Sequence, residues 1–251
     1  MENAQANQQI RKVRCIVTGF DPFGEYTYNP SQLAVEALPE SINLSGSGQP
    51  IELTRLVLPT CCQEAWITLS SVLSGFEDES QVVIMSGLGD RRARIGLERF
   101  ALNIRDYRIP DNRGHKAQDE PIDASGPEAI RTRLLLPELL SHLTDKGYLC
   151  EISNHAGSFI CNELFYRCLR LSQLTGKPDL AVFVHLPQPQ AYADVQAGGT
   201  GIIEPVQEPE VVRQSVTRIF SLVLEEIARY CCLRLQEGKP ESPTVVTVQT
   251  N

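Results

Sequence analysis

Apolar positions along the chain fall into two patterns. The runs VRCIVTG (13–19), QVVIMSG (81–87) and LAVFVHLP (180–187) are almost continuously hydrophobic and rich in β-branched residues. Such runs predict strands buried on both faces. IELTRLVLP (51–59) alternates and stops at proline, and YLCEIS (148–153) repeats the theme. Between the strands the spacing turns helical, predicting helices over 31–38, 61–74, 128–144, 159–174 and 209–236. The last carries an apolar stripe at Val212, Ile219, Val223, Ile227 and Tyr230. Strands alternating with helices predict an α/β fold with a largely parallel sheet covered on both faces.

Two polar stretches break the rhythm. NLSGSGQP (43–50) reads as a connecting loop. DYRIPDNRGHKAQDEPIDASGP (106–127) is long and rich in Gly and Pro. Loops of that length inside a compact domain are often functional, lids among them. In a parallel sheet the active site belongs at the carboxyl ends of the strands. The strand ends GFDPFG, SGLGDRR, SNHAGSF and HLPQP are therefore expected to converge.

Length and charge narrow the picture. A chain of 251 residues suits one large domain, expected over 13–236, with a flexible N-terminus (1–12) and a loose tail (237–251) in which TVVTV could pair as a strand. The net charge of −8 gives no reason to expect nucleic acid or an anionic membrane as partner. The longest apolar runs are only about strand length, and the polar start lacks a secretory signal, so a cytoplasmic location is expected. In that reducing compartment the eight cysteines should be free thiols.

The stretch SNHAGSFICNELFYRCL (153–169) carries the chemistry. Cys161 follows a strand, the turn 154–157 and Ser158, an expected N-cap, which puts its sulfur in the first turn of a helix. Unpaired N–H groups and the helix dipole there favour thiolate over thiol. Cys168, two turns on, lacks that advantage and reads as core. On position alone, burial as a small hydrophobe is the commoner fate of a free cysteine. A nucleophilic thiol needs a base, and the chain has four histidines. His185 ends an apolar strand at the expected catalytic edge, and His155 lies in the turn before Cys161; His115 and His142 read as surface. Glu98 could orient the base, or be a solvated carboxylate paired with Arg99.

These residues also carry a resemblance. GFDPFGEYTYNPS (19–31), GLGDRRARIGLERFALNIRDYRIPDN (87–112), SNHAGSFICN (153–162) and FVHLP (183–187) resemble, in order, the signature segments of the pyroglutamyl peptidase I family. The resemblance implies a three-layer α/β/α sandwich with a largely parallel (mixed) central sheet. It implies a cysteine peptidase that removes N-terminal pyroglutamyl residues through a thioester, with Cys161 as nucleophile, His185 as base and Glu98 as orienting carboxylate. Phe20, Phe23, Ile109, Phe159 and Ile160 match the family's apolar ring pocket, and Asn29 and Arg92 match polar residues close to its site. A neutral lactam suits aromatic walls and a few hydrogen bonds, while a charged N-terminal amine would be penalised by desolvation.

The implied partners are N-terminally pyroglutamylated peptides, and the family includes homo-oligomers. No cofactor or metal is expected; His155, Cys161 and His185 lack the close ligand pair of a zinc site. The sequence departs from the family's pattern at His155, where a small residue is usual, at Asp90-Arg91, which replace a Gly-rich pair, and at Gly96, where Ser or Thr is common. Those departures keep two other readings in view: a pyroglutamyl-peptide-binding homologue with weak or no turnover, and an amidase for another small acyl group.

Overall fold

The computed structural model describes residues 12–44, 50–201 and 210–238. The expected N-terminal arm, nearly all of the expected tail with its TVVTV strand, and most of the 43–50 loop lie outside those residues.

In chain order the elements are β1 (Val13–Phe20), α1 (Pro30–Glu36), β2 (Ser41–Ile42), β3 (Ile51–Leu58), α2 (Cys62–Ser74), β4 (Ser80–Leu88) and β5 (Ile95–Leu102). Then follow β6 (Ala129–Arg131), α3 (Leu136–Asp145), β7 (Cys150–His155), α4 (Ile160–Thr175), β8 (Leu180–Leu186), α5 (Pro189–Gln196) and α6 (Glu210–Glu237). The strands form one sheet ordered β2-β3-β1-β4-β8-β5-β6, with β7 beside β5. The β3, β1, β4 and β8 run is parallel. β5 joins β8 antiparallel, β7 follows β5 in parallel, β2 pairs antiparallel with β3, and β6 pairs antiparallel with β5.

Period-two alternation distributes the core. Cys15, Val17, Val82, Ile84, Val182 and Val184 face one way, into a cluster with α1, α3, α5 and α6. Ile16, Val83, Met85, Ala181 and Phe183 face the other, against α2 and α4. The result is helix, sheet, helix, the three-layer α/β/α architecture expected.

Two expectations are corrected, and two elements had no counterpart in the sequence reading. The window 128–144 holds strand β6 before helix α3, because Ala129–Arg131 complete the edge of β5 through its last residues. β5 itself, amphipathic and carrying Glu98 and Arg99, had no apolar run to announce it. α5 begins at Pro189, the last residue of the HLPQP strand end. β7 runs antiparallel to β4 and β8, so parallel order alone does not bring SNHAGSF to their carboxyl edge.

The 106–127 segment is not a free lid. Asp106 N donates to Ser158 O at 3.0 Å, and Asn162 Nδ2 donates to Leu102 O and Ile104 O just before it. Arg170 Nε reaches Asp123 Oδ2 at 2.9 Å, and Tyr166 hydroxyl donates to Pro127 O at 2.8 Å. α4 and the residue before its cap therefore hold the segment at both ends.

Candidate active site

The alternation that sorts the core also builds the site. Val83 and Met85 face α4, so Gly87 does too; Ala181 and Phe183 face α4, so His185 does too. Gly87 and His185 are register partners at the carboxyl ends of β4 and β8. On β5, Ile95 and Leu97 point to the opposite layer, which turns Gly96 and Glu98 toward α4, with Gly96 beside His185. Three adjacent strands thus present Gly87, His185 and Glu98 to the helix that carries Cys161.

Gly87 makes room for the sulfur. A Cβ there would lie 2.8 Å from Cys161 Sγ and 3.1 Å from Phe183 Cζ. Phe183 packs on the imidazole of His185 at 4.8 Å between ring centroids. Cys161 and His185 therefore flank the same glycine, and α4 delivers the cysteine despite the reversed direction of β7.

His185 Nδ1 is 2.7 Å from Glu98 Oε1, and both side chains are buried. Arg92 Nη2 lies 2.9 Å from the same carboxylate oxygen and also donates to Ser153 Oγ at 2.8 Å. Glu98 is fully inaccessible rather than solvated, and Arg99 turns away to Asn154 Oδ1 at 2.8 Å. Gly96 leaves the space that Arg92 fills: a Cβ there would be 2.7 Å from Nη1.

Burial, reinforced by the Glu98 charge, pushes the Cys161 thiol up to about 12. Its own backbone N–H works in the opposite direction and is outweighed. Burial thus works against the thiolate that the helix start favours. Ser158 does not cap that helix either. The N-cap is Phe159, with no side-chain bond, and Ser158 Oγ donates instead to Asp106 O at 2.8 Å. The first N–H groups of α4 are consequently left without a side-chain partner.

The residues matched to the ring pocket divide. Phe23 packs on Phe159 at 5.8 Å, and Ile109 Cδ1 would meet a Cβ on Gly24 at 3.5 Å. Phe20 and Ile160 are buried in the α2–α4 core. Asn29 is a structural anchor: its Oδ1 accepts from Ser31 N at 3.0 Å and Ser31 Oγ at 2.8 Å, and its Nδ2 donates to Asp21 O. It sets the turn that carries Phe20 and Phe23.

Sequence reading missed two aromatics here. Tyr107 meets Phe159 edge-on at 4.9 Å, and Tyr26 packs on Phe23 at 5.3 Å while donating to Asp90. Tyr107 is a lone aromatic in a polar stretch, which was the available signal, and Tyr26 stands among Phe23 and Tyr28. His155 is exposed, and its Nδ1 accepts from Gly157 N at 3.1 Å, so its ring serves its own turn. Cys168 is buried in the core as expected, and all eight cysteines are free. His115 is exposed, whereas His142 is half-buried against Glu226 at 2.7 Å. Among the described residues no cluster of His, Cys, Asp and Glu has metal-binding geometry, and no helix is long and apolar enough to cross a membrane.

Known proteins resemble this chain in sequence and in fold. The family model for pyroglutamyl peptidase matches residues 13–216. The pyrrolidone-carboxylate peptidase of Pyrococcus furiosus is 32% identical over 216 residues, covering 86% of this chain and all of the relative. That of Bacillus licheniformis is 35% identical, covering 69% of this chain and 78% of the relative. Among solved structures, the pyrrolidone carboxyl peptidase of Thermococcus litoralis superposes with a TM-score of 0.71 at 26% identity, covering 92% of this chain and 98% of that one. The enzyme of Fervidobacterium islandicum gives 0.68 at 32% identity, covering 86% and 98%. With a match that runs from β1 into α6 and takes in every strand of the site, this chain belongs to the pyroglutamyl peptidase family.

Proposed function

We propose that this chain, a peptide-bond hydrolase by family, cleaves the amide after an N-terminal pyroglutamyl residue through Cys161, His185 and Glu98. The observation that carries the reading is the convergence of a half-buried thiol and a Glu98-bound imidazole on the side-chain-free face of Gly87.

Glu98 holds Nδ1 of His185, so Nε2 is the ring nitrogen left to take the thiol proton. Burial favours the protonated thiol, so His185 takes its proton as the sulfur attacks. The sulfur adds to the acyl carbonyl, and the uncapped N–H groups at the start of α4 stabilise the oxyanion. The imidazolium then protonates the leaving amine. Water, deprotonated by the same nitrogen, hydrolyses the thioester and releases pyroglutamate and the free thiol. Phe23, Tyr107 and Phe159 offer an aromatic wall suited to an uncharged lactam. The free thiols support a reducing, cytoplasmic setting.

The test is a fluorogenic pyroglutamyl amide, assayed under reducing conditions with the wild type and Cys161→Ala. The variant should lose cleavage entirely. Wild-type release of pyroglutamate by Cys161→Ala would end the mechanism. A wild type that binds the peptide without single-turnover release of amine would favour the binding homologue instead.

A further inference from the structure

We infer that Glu163 and Tyr107 form a positioning pair that sets the aromatic wall of the acyl pocket; this rests on the pyroglutamyl reading above. Glu163 lies two residues beyond Cys161, in the first turn of α4, where the helix dipole favours a carboxylate. Its side chain is buried, yet both oxygens are engaged. Oε2 accepts from the Tyr107 hydroxyl at 2.7 Å. Oε1 accepts from Arg167 Nε at 2.9 Å and Nη2 at 2.7 Å, with Arg105 Nη1 at 3.7 Å. A buried carboxylate so partnered is rigid, because losing any one partner leaves a desolvated group unpaired.

Tyr107 is the other half. It is buried, its N–H donates to Ala117 O at 2.9 Å, and its ring makes a T-shaped contact with Phe159 at 4.9 Å between centroids. Phe159 is the N-cap of α4 and packs on Phe23. One carboxylate therefore fixes, through a single phenol, the ring behind Phe159 and the start of the 106–127 segment. Neither residue touches Cys161, His185 or Glu98 through any hydrogen bond. Their effect should fall on recognition of the lactam and spare the chemistry of the thiol.

Tyr107→Phe removes the hydroxyl and keeps the ring. Three readouts separate positioning from general structure: KM and kcat with the pyroglutamyl amide, the dissociation constant of 2-pyrrolidone by calorimetry, and the iodoacetamide alkylation rate of Cys161 by peptide mapping. The variant should raise KM and the 2-pyrrolidone constant together by about ten-fold, equivalent to about 1.4 kcal/mol. Its kcat should stay within about two-fold and its alkylation rate unchanged, since the reacting groups are untouched. Glu163→Gln replaces one accepting oxygen with an NH2 donor that faces Tyr107 or Arg167, and should raise both constants in the same direction. Wild-type lactam binding by Tyr107→Phe would overturn the inference, as would a fall in kcat with lactam binding unchanged. A wild type that binds lactam but cleaves nothing sinks the peptidase reading alone, because the calorimetric comparison still tests the wall.

Discussion

Gly87→Ala is the sharpest perturbation of this site. The backbone at residue 87 is ordinary β strand, so alanine adds one methyl group and no dihedral strain. That methyl would sit 2.8 Å from Cys161 Sγ and 3.1 Å from Phe183 Cζ. Ordinary contact begins near 3.4 Å, so the sulfur must retreat by about 0.6 Å. Phe183 is buried against Phe165 and the imidazole of His185, so the ring has little room to yield. The stability cost is that of mild overpacking, about 1 kcal/mol or roughly 3 °C in Tm. The catalytic cost is larger. A displacement of that order in a reacting atom lowers rates by about 10²-fold, or about 2.7 kcal/mol of barrier. The assay is kcat/KM with the fluorogenic amide, alongside a thermal melt. The expected result is a folded protein with kcat/KM down about a hundred-fold. Wild-type kcat/KM in Gly87→Ala would refute the reasoning, because it would mean that the attacking atom does not occupy the space this glycine leaves.

Further outcomes follow from the same structure. The Cys150, Cys161 and Cys168 thiols are each held at about 12 by burial, against 9.0 when exposed. Between those values the folded chain keeps protons that the unfolded chain releases, so stability is intact below pH 9 and falls as pH rises toward 12. A urea midpoint that stays flat from pH 7 to 11 would contradict this. Alkylation of Cys161 by iodoacetamide should keep rising above pH 9, whereas a plateau below pH 7 would reveal a thiolate already formed. Asn29→Ala should cost about 1 kcal/mol by removing the α1 cap and should raise KM by loosening the turn that carries Phe23. An unchanged Tm would count against that anchoring role. The Tyr26 phenol, raised to about 12 by burial and by Asp90, should titrate closer to 10 in Asp90→Ala when followed by ultraviolet absorbance. No movement would leave burial as the whole cause.

The layers of this fold were legible because β1, β4 and β8 are buried on both faces and leave unbroken apolar runs. β5 was not, and the reason lies in what the site requires. One of its faces packs in the core through Ile95 and Leu97, while the other carries Gly96 and Glu98 to the imidazole. A strand that places a carboxylate in the interior cannot look hydrophobic, so the element most concerned with chemistry was the hardest to read as a strand. The direction of β7 was hidden for a different reason. A helix between two strands fits either a parallel crossover or, as here, an antiparallel pair separated in the sheet, and local periodicity is the same in both. Cys161, His185 and Glu98 could each be nominated from position, Glu98 with a solvated alternative beside it, and the family resemblance joined the three. What no pattern could supply was the partner of each charge. Arg99 stands next to Glu98 in the chain but alternation sends its side chain to Asn154, while Arg92 reaches the carboxylate across the gap left by Gly96. An absent Cβ leaves no mark in a hydrophobicity pattern, yet at Gly87 and Gly96 it determines which groups can meet.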